Sequence, residues 1–259
     1  MNNELKGIVA TFGCLLLGLG LAAPRASAQF SLTNSFYSQN FDSMGSSGTT
    51  APTGWFVGSL SPQATNGTVT SRPIVVSDGS GTSANNYNFG TTGDSDRALG
   101  SKAESGGTRV TEFRFTNNTG LTLTDLTLSY TGEQWRRATT TNALTLHYGT
   151  NENALADAPS SFTFTTPILG TATSLDGNAT ANRVTSLGGT ISGLSIPNGT
   201  TFILRWIDLD DTDTVDAGIA LDDFSLTVAI PEPSTIILVG FGLLFTLAKF
   251  RRQGAVQGY

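Results

Sequence analysis

Arg109-Val110-Thr111-Glu112-Phe113-Arg114-Phe115-Thr116-Asn117 decides the fold class, and the chain on either side of it repeats its pattern. Phe113 and Phe115 share a face, with a charged residue between them, which is the period of two of a half-buried strand. Asn117-Asn118-Thr119-Gly120 then reads as a tight turn, and Leu121 to Gly132 as the returning strand of a hairpin. In that returning segment Leu121 and Leu123 are in one phase and Leu126, Leu128 and Tyr130 in the other, so a bulge or bend is expected near Asp125. Further strands fit Leu144 to Tyr148, Ser161 to Thr165, Thr201 to Ile207 and Gly218 to Val228, with weaker ones at Phe36 to Phe41, Trp55 to Gly58 and Ile74 to Val76. No soluble helix is expected, because abundant Thr, Ser, Asn and Gly favour short strands joined by polar turns. Ten or so short strands without a long linker predict an all-β chain folded as a single antiparallel β-sandwich, jelly-roll-like. A parallel β-helix is second, since no repeat of fixed length recurs.

Both ends fall outside this domain. Lys6 precedes an apolar stretch from Ile8 to Ala23, and Ala26-Ser27-Ala28 supplies the small residues that signal peptidase accepts. Cleavage is expected between Ala28 and Gln29, so residues 1–28 read as a signal peptide helix and residues 29–229 as the exported β-sandwich domain. Pro24 and Arg25 end the apolar run and argue against a retained membrane helix. Cys14, the single cysteine, lies inside the signal peptide, so the mature domain is expected to have neither disulfides nor cysteine chemistry.

At the other end Pro231-Glu232-Pro233 is followed by an apolar run, Thr235 to Ala248, and then by Lys249, Arg251 and Arg252. Fourteen residues at 1.5 Å each give about 21 Å of helix against a bilayer core of about 30 Å. Ser234 and the reach of the basic side chains bring the span close to sufficient, and the basic cluster should stay cytoplasmic. Residues 230–252 therefore read as a motif with a single transmembrane helix, and residues 253–259 as a cytoplasmic tail.

This end resembles the PEP-CTERM sorting signal of bacterial surface proteins, with its Pro-Glu-Pro, short helix and basic cluster in order. The resemblance implies an exosortase as partner, a membrane transpeptidase that cleaves near the motif and releases or transfers the protein. The two prolines suit that step, because they hold the segment extended and unpaired outside the membrane. The implied localisation is export, transient membrane anchoring, and then the cell surface or extracellular matrix. The tail Gln253 to Tyr259 departs from the pattern, since such signals end soon after the arginines. The same signal occurs on some ice-binding proteins, so it marks a destination and not an activity. Ser38 to Phe41, Asp96 to Ser101, Thr131 to Arg136 and Gly218 to Phe224 also resemble a group of exported bacterial jelly-roll-like domains joined to such signals, which bears on fold and setting only.

Residues 29–230 hold 9 Lys and Arg against 18 Asp and Glu, a net charge of −9 that disfavours nucleic acid and anionic membrane surfaces as partners. Five of the acids crowd one loop: Asp208, Asp210, Asp211, Asp213 and Asp216. Oxygen-rich loops suit a structural calcium, although the spacing is not that of an EF-hand and a solvated acidic loop is an equal reading. Asp222 is in phase with Phe224, Leu226 and Val228, so it should point toward the core and meet an arginine, with Arg205, Arg136 and Arg114 as candidates, backbone donors or a metal. Trp135 and Arg136, beside Glu133 and Gln134, have the ring and planar polar groups used to contact carbohydrate, though Trp135 also fits as the closing residue of the core, as do Trp55 and Trp206.

His147 is the only histidine and is expected to be exposed, opposite Leu144, Leu146 and Tyr148. A serine triad or a histidine-rich zinc site therefore has no second histidine to draw on, and the glycine-rich stretches read as flexible loops. The function expected is that of a non-enzymatic surface or matrix protein, structural or binding extracellular polysaccharide, with no certain cofactor. A hydrolase of matrix polysaccharide using Asp222 and Asp223 is the alternative, and ice binding comes third because the threonines are scattered.

Overall fold

A computed structural model describes residues 29–104, 107–211 and 215–229. The signal peptide with Ala26 and Ala28, Asp213, and the sorting segment with Pro231, Glu232, Pro233, Lys249, Arg251 and Arg252 lie outside the described residues. In chain order the strands are Phe30–Leu32 (β1), Phe36–Gln39 (β2), Trp55–Leu60 (β3), Thr70–Ser71 (β4), Ile74–Ser77 (β5), Asn85–Phe89 (β6), Ala98–Lys102 (β7), Thr108–Asn117 (β8), Leu126–Arg136 (β9), Ala143–Gly149 (β10), Ala156–Asp157 (β11), Phe164–Thr165 (β12), Arg183–Ile191 (β13), Thr201–Asp208 (β14) and Gly218–Val228 (β15).

The strands form two sheets. The first runs β11-β10-β14-β8-β3-β4, with β1 parallel to β8 and β12 against β10. The second runs β13-β9-β15-β7-β6-β5, with β2 against β15. Most neighbours are antiparallel, and β7, β8, β9 and β10 alternate between the sheets, as do β13, β14 and β15. The fold is the expected jelly-roll-like β-sandwich. Its core is aromatic: Trp55 stacks on Trp206 at 5.7 Å, and Phe224 meets both edge-on at 5.3 and 5.6 Å. Edge-to-face contacts of this kind add to the burial energy of the rings themselves. Trp55 and Trp206 are thus core residues.

Three expectations are corrected by the fold. The segments before and after Asn117 are not a hairpin, because β8 lies in the first sheet and β9 in the second. Buried Asn117 fixes this crossing: its amide donates to Leu121 O at 2.7 Å and Ile196 O at 2.8 Å, while its Oδ1 accepts from Thr119 N at 3.1 Å. Leu123, bridged to Ile196, and Leu126 are both buried, so the change of phase near Asp125 marks a chain passing from sheet to sheet. The segment Ser161 to Thr165 begins in a 3-10 turn, Ser160–Phe162, and only Phe164–Thr165 is in a strand.

His147 is buried, not exposed. Its neighbour across the sheet edge, Asp157 on the two-residue strand β11, covers it and brings Oδ1 to 2.8 Å from Nδ1. Burial outweighs that carboxylate and lowers the histidine pKa from its usual value.

Candidate functional site

The outer face of the first sheet carries a polar system that the sequence did not single out as a site. Trp55 and Val57 on β3, Phe113 and Phe115 on β8, and Leu204 and Trp206 on β14 point into the core. The alternate positions Phe56, Glu112, Arg114 and Arg205 therefore face outward, and pairing places Phe56 and Arg205 on either side of Glu112. Arg205 and Glu112 are fully buried there and form an ion pair through Nε and Oε1. The rest of the Arg205 guanidinium donates to Thr65 O and Gly67 O, each at 3.0 Å, which clamps the 61–69 loop onto the sheet. Leu60, Val110 and Ile207 form a small apolar cluster beneath that loop. A buried charge pair is tolerable only when its remaining donors and acceptors are satisfied, and here they are.

From Glu112 the network continues outward. Arg114 donates through Nε to Glu112 Oε2 at 2.6 Å and through a terminal nitrogen to Glu152 Oε2 at 3.0 Å. Thr68 donates its hydroxyl proton to the other Glu152 oxygen at 2.7 Å. Although part of the path of Arg114 is desolvated, the two carboxylates hold its pKa above the ordinary arginine value, and these partners hold Glu152 below the usual carboxylate range against its own desolvation. Arg114 also covers Phe56, 5.3 Å from the ring centroid. These groups line a groove of about 440 Å3 at the β3–β4 end of the sheet, together with Thr49, Thr50, Ser71 and Arg72. Its side chains are held in place by one another, so the groove is preorganised.

The Trp135 region stands on the opposite sheet and is closed. Trp135 is buried, stacked on Phe89 at 5.8 Å, and its indole N–H donates to Glu133 Oε2 at 2.9 Å. Loops cover the ring: Leu175 N donates to Trp135 O at 2.8 Å, and a Cβ on Gly177 would sit 2.3 Å from the indole. The ring therefore has no open face for a sugar in this structure, and Arg136 is turned to Gly79 O at 3.2 Å. Gly79, expected to be a flexible loop residue, is a point of close approach: with φ +87°, a Cβ there would meet Trp135 O at 2.0 Å.

Asp222 lies on this same outer face. Asp222 faces Thr131 but Ser225 faces Ser129, so one extra residue is inserted in β15, and Asp223 adopts φ 48°. The bulge reverses the phase between Leu221 and Phe224, both of which are in the core, and turns Asp222 away from it. The expected arginine partners are elsewhere: Arg205 and Arg114 belong to Glu112 on the other side of the sandwich, and Arg136 is on Gly79. Asp222 instead lies under the influence of Glu133. Burial first, and the Glu133 charge second, push its pKa up to about 9. Burial likewise pushes Glu133 up to about 7 despite the indole hydrogen bond.

The five aspartates of the acidic loop are divided by the structure. Asp208 ends β14, buried, and its Oδ2 accepts from Ser101 Oγ at 2.7 Å and Ala103 N at 3.1 Å in the other sheet. Burial raises its pKa to about 7. Asp216 accepts from Asn142 Nδ2 at 3.1 Å, and Asn142 also donates to Asp211 at 3.0 Å and accepts from Ala217 N at 2.8 Å. Burial, with the Asp210 and Asp211 carboxyls beside it, pushes Asp216 up to about 8. Asn142 is thus the organiser of the loop. Among the described residues no group of three or more His, Cys, Asp or Glu side chains is disposed to hold a metal ion.

Beyond Ala229 the sequence carries the decisive feature. Residues 229–253 match the PEP-CTERM protein-sorting motif. The PEP-CTERM match spans about a tenth of the chain and marks the protein as exported, transiently anchored in the membrane and processed by an exosortase. No curated protein sequence matches the chain. Among solved structures it is similar to the enzymatically active domain of bacteriophage CBA120 tailspike protein 4 (10% identity, 68% of this chain, 19% of that one, TM-score 0.32). It is also similar to TmCBM61 in complex with β-1,4-galactotriose (9%, 52%, 72%, 0.28) and to Arthrobacter globiformis T6 isomalto-dextranase complexed with panose (18%, 56%, 21%, 0.31). This chain spans about a fifth of the tailspike and dextranase chains.

Proposed function

We propose that this exosortase substrate is a non-enzymatic protein of the cell surface or extracellular matrix, whose β-sandwich retains polysaccharide in the groove at the β3–β4 end of the first sheet. The observation that carries the reading is that groove. It offers the apolar surface of Phe56 left beside Arg114, planar guanidinium groups, a fixed carboxylate at Glu152, and hydroxyls at Thr49, Thr50 and Ser71, in about 440 Å3. Glycan sites combine such an apolar surface with a few oriented polar groups. The sorting motif supports the setting, since exosortase processing delivers a protein to where such polymers lie.

Two measurements test the reading. Mass analysis of the mature C-terminus, in the native host and in a strain lacking its exosortase, should find the Arg251-Arg252 end removed only when the enzyme is present. The secreted protein should be slowed in native gels containing polysaccharide and should bind less when Arg72→Gln or Thr50→Ala narrows the groove's donors. Equal mobility with and without every polymer tried would abandon the binding reading in favour of a purely structural one.

A further inference from the structure

We propose that the groove at the β3–β4 end selects a carboxylated polysaccharide over a neutral one, an inference that rests on the glycan-binding reading and names its ligand class. Three cations stand around the groove and its floor, Arg72, Arg114 and Arg205, against two anions, Glu112 and Glu152. Arg205 is used by Glu112, and Arg114 by Glu112 and Glu152. Arg72 is different. Its Nε donates to Ser59 Oγ at 2.9 Å, which holds the guanidinium against the strand, and among the described residues no carboxylate pairs with it. An exposed, oriented, unpaired guanidinium on a domain of net charge −9 is a local exception to the charge of the whole.

The aromatic side of the groove points the same way. A neutral sugar is held mainly by stacking on an open ring, but Arg114 already lies over the Phe56 ring at 5.3 Å. The uncommitted chemistry is therefore the Arg72 fork with the hydroxyls of Thr49, Thr50 and Ser71 around it. A guanidinium fork matches a carboxylate with two parallel hydrogen bonds, and the hydroxyls suit the neighbouring sugar oxygens. The cation at Arg72 is felt beyond the groove, since it helps to lower the pKa of Arg109 after desolvation. A uronate carboxylate would balance it.

The test uses the secreted protein in native gels containing alginate or polygalacturonate as carboxylated probes and dextran as the neutral one. The expected result is retardation by the carboxylated polymers, weakened in about 0.3 M salt as screening requires. Arg72→Gln should weaken that binding about tenfold, the ~1.4 kcal/mol of one charge-assisted bond. Arg183→Gln, on the second sheet, removes the same charge and should leave it unchanged. Dextran bound as tightly as alginate, or equal loss in both variants, would overturn the carboxylate preference while leaving glycan binding intact. No retardation by any polymer would overturn both readings together.

Discussion

Asp222 and Glu133 sit on neighbouring strands of the second sheet as buried carboxyls, and after burial itself the Glu133 charge is the largest obstacle to ionising Asp222. The bulge at Asp222 and Asp223 creates this relationship, because without it Asp222 would share a face with Phe224. The pair is a cost that depends on pH. Both groups are held by the fold in their protonated form well above the usual carboxylate range.

Asp222→Asn should therefore stabilise the sandwich at pH 8, by on the order of 2 kcal/mol, because it removes a carboxylate that is ionised in the unfolded chain and must take up a proton to be buried. At pH 4 the same change should be nearly neutral. Urea midpoints at the two pH values measure this. Equal destabilisation at both would show that the carboxylate is needed by something other than its proton.

Stability of the whole domain should peak in mildly acidic solution. Glu133 and Asp208 at about 7, Asp216 at about 8 and Asp222 at about 9 all bind their protons more tightly folded than unfolded. Their contribution is complete below about pH 4 and is lost as the pH rises through 7 to 9. Glu152 and Asp78, whose pKa values are lowered, act in the opposite sense and lose their contribution as the pH falls below about 4. Melting temperatures across pH 3 to 10 should trace a dome with its fall on the alkaline side, and a flat or rising alkaline limb contradicts it.

Arg205→Ala should cost about 3–5 kcal/mol, since it leaves Glu112 buried beside fewer donors and frees the 61–69 loop from its carbonyl clamp. Arg205→Met, which keeps the volume, should cost nearly as much, because the loss is of charge and donors and not of packing. Denaturation in urea checks both, and a loss below about 1 kcal/mol would place Arg205 among ordinary surface ion pairs.

Gly79→Ala should destabilise more than Gly45→Ala. Both glycines have positive φ, but a Cβ at Gly79 would strike Trp135 O at 2.0 Å whereas nothing lies within 4 Å at Gly45. Strain alone accounts for about 1 kcal/mol at either site. The excess at Gly79, read in melting temperature and in the near-ultraviolet signal of Trp135, measures the loop's approach to the strand. Equal costs would remove the close approach as a cause.

Much of the fold was legible because alternation records burial directly. Gly218 to Val228, Thr201 to Ile207 and Leu144 to Tyr148 were found within a residue of β15, β14 and β10. The strands that went unread were β6, β7 and β13, together with the short β1, β4 and β11. Asn86 and Asn88 of β6 are buried polar residues whose amides donate to Val110 O and to Gly45 O and Gly48 O, so they break the apolar signature although the sheet buries them. Edge strand β13 exposes most of its residues and its register shifts between Val184 and Leu187, where Ser186 adopts φ 61°.

The groove network was hidden for a related reason. Arg114 and Arg205 were weighed only as partners for Asp222, because periodicity assigns a residue to a face and does not say which faces meet. Sequence by itself determined the two-residue period, the core tryptophans and the sorting motif at residues 229–253, all of which are written in contiguous residues and follow from local geometry or from a linear signal. Tertiary structure decided which sheet each strand joined, that Trp135 is closed and Asp222 turned from the core, and that Phe56, Arg72, Arg114 and Glu152 share one groove. Those choices depend on pairings between residues tens of positions apart, and a single inserted residue such as that at Asp223 is enough to reverse them.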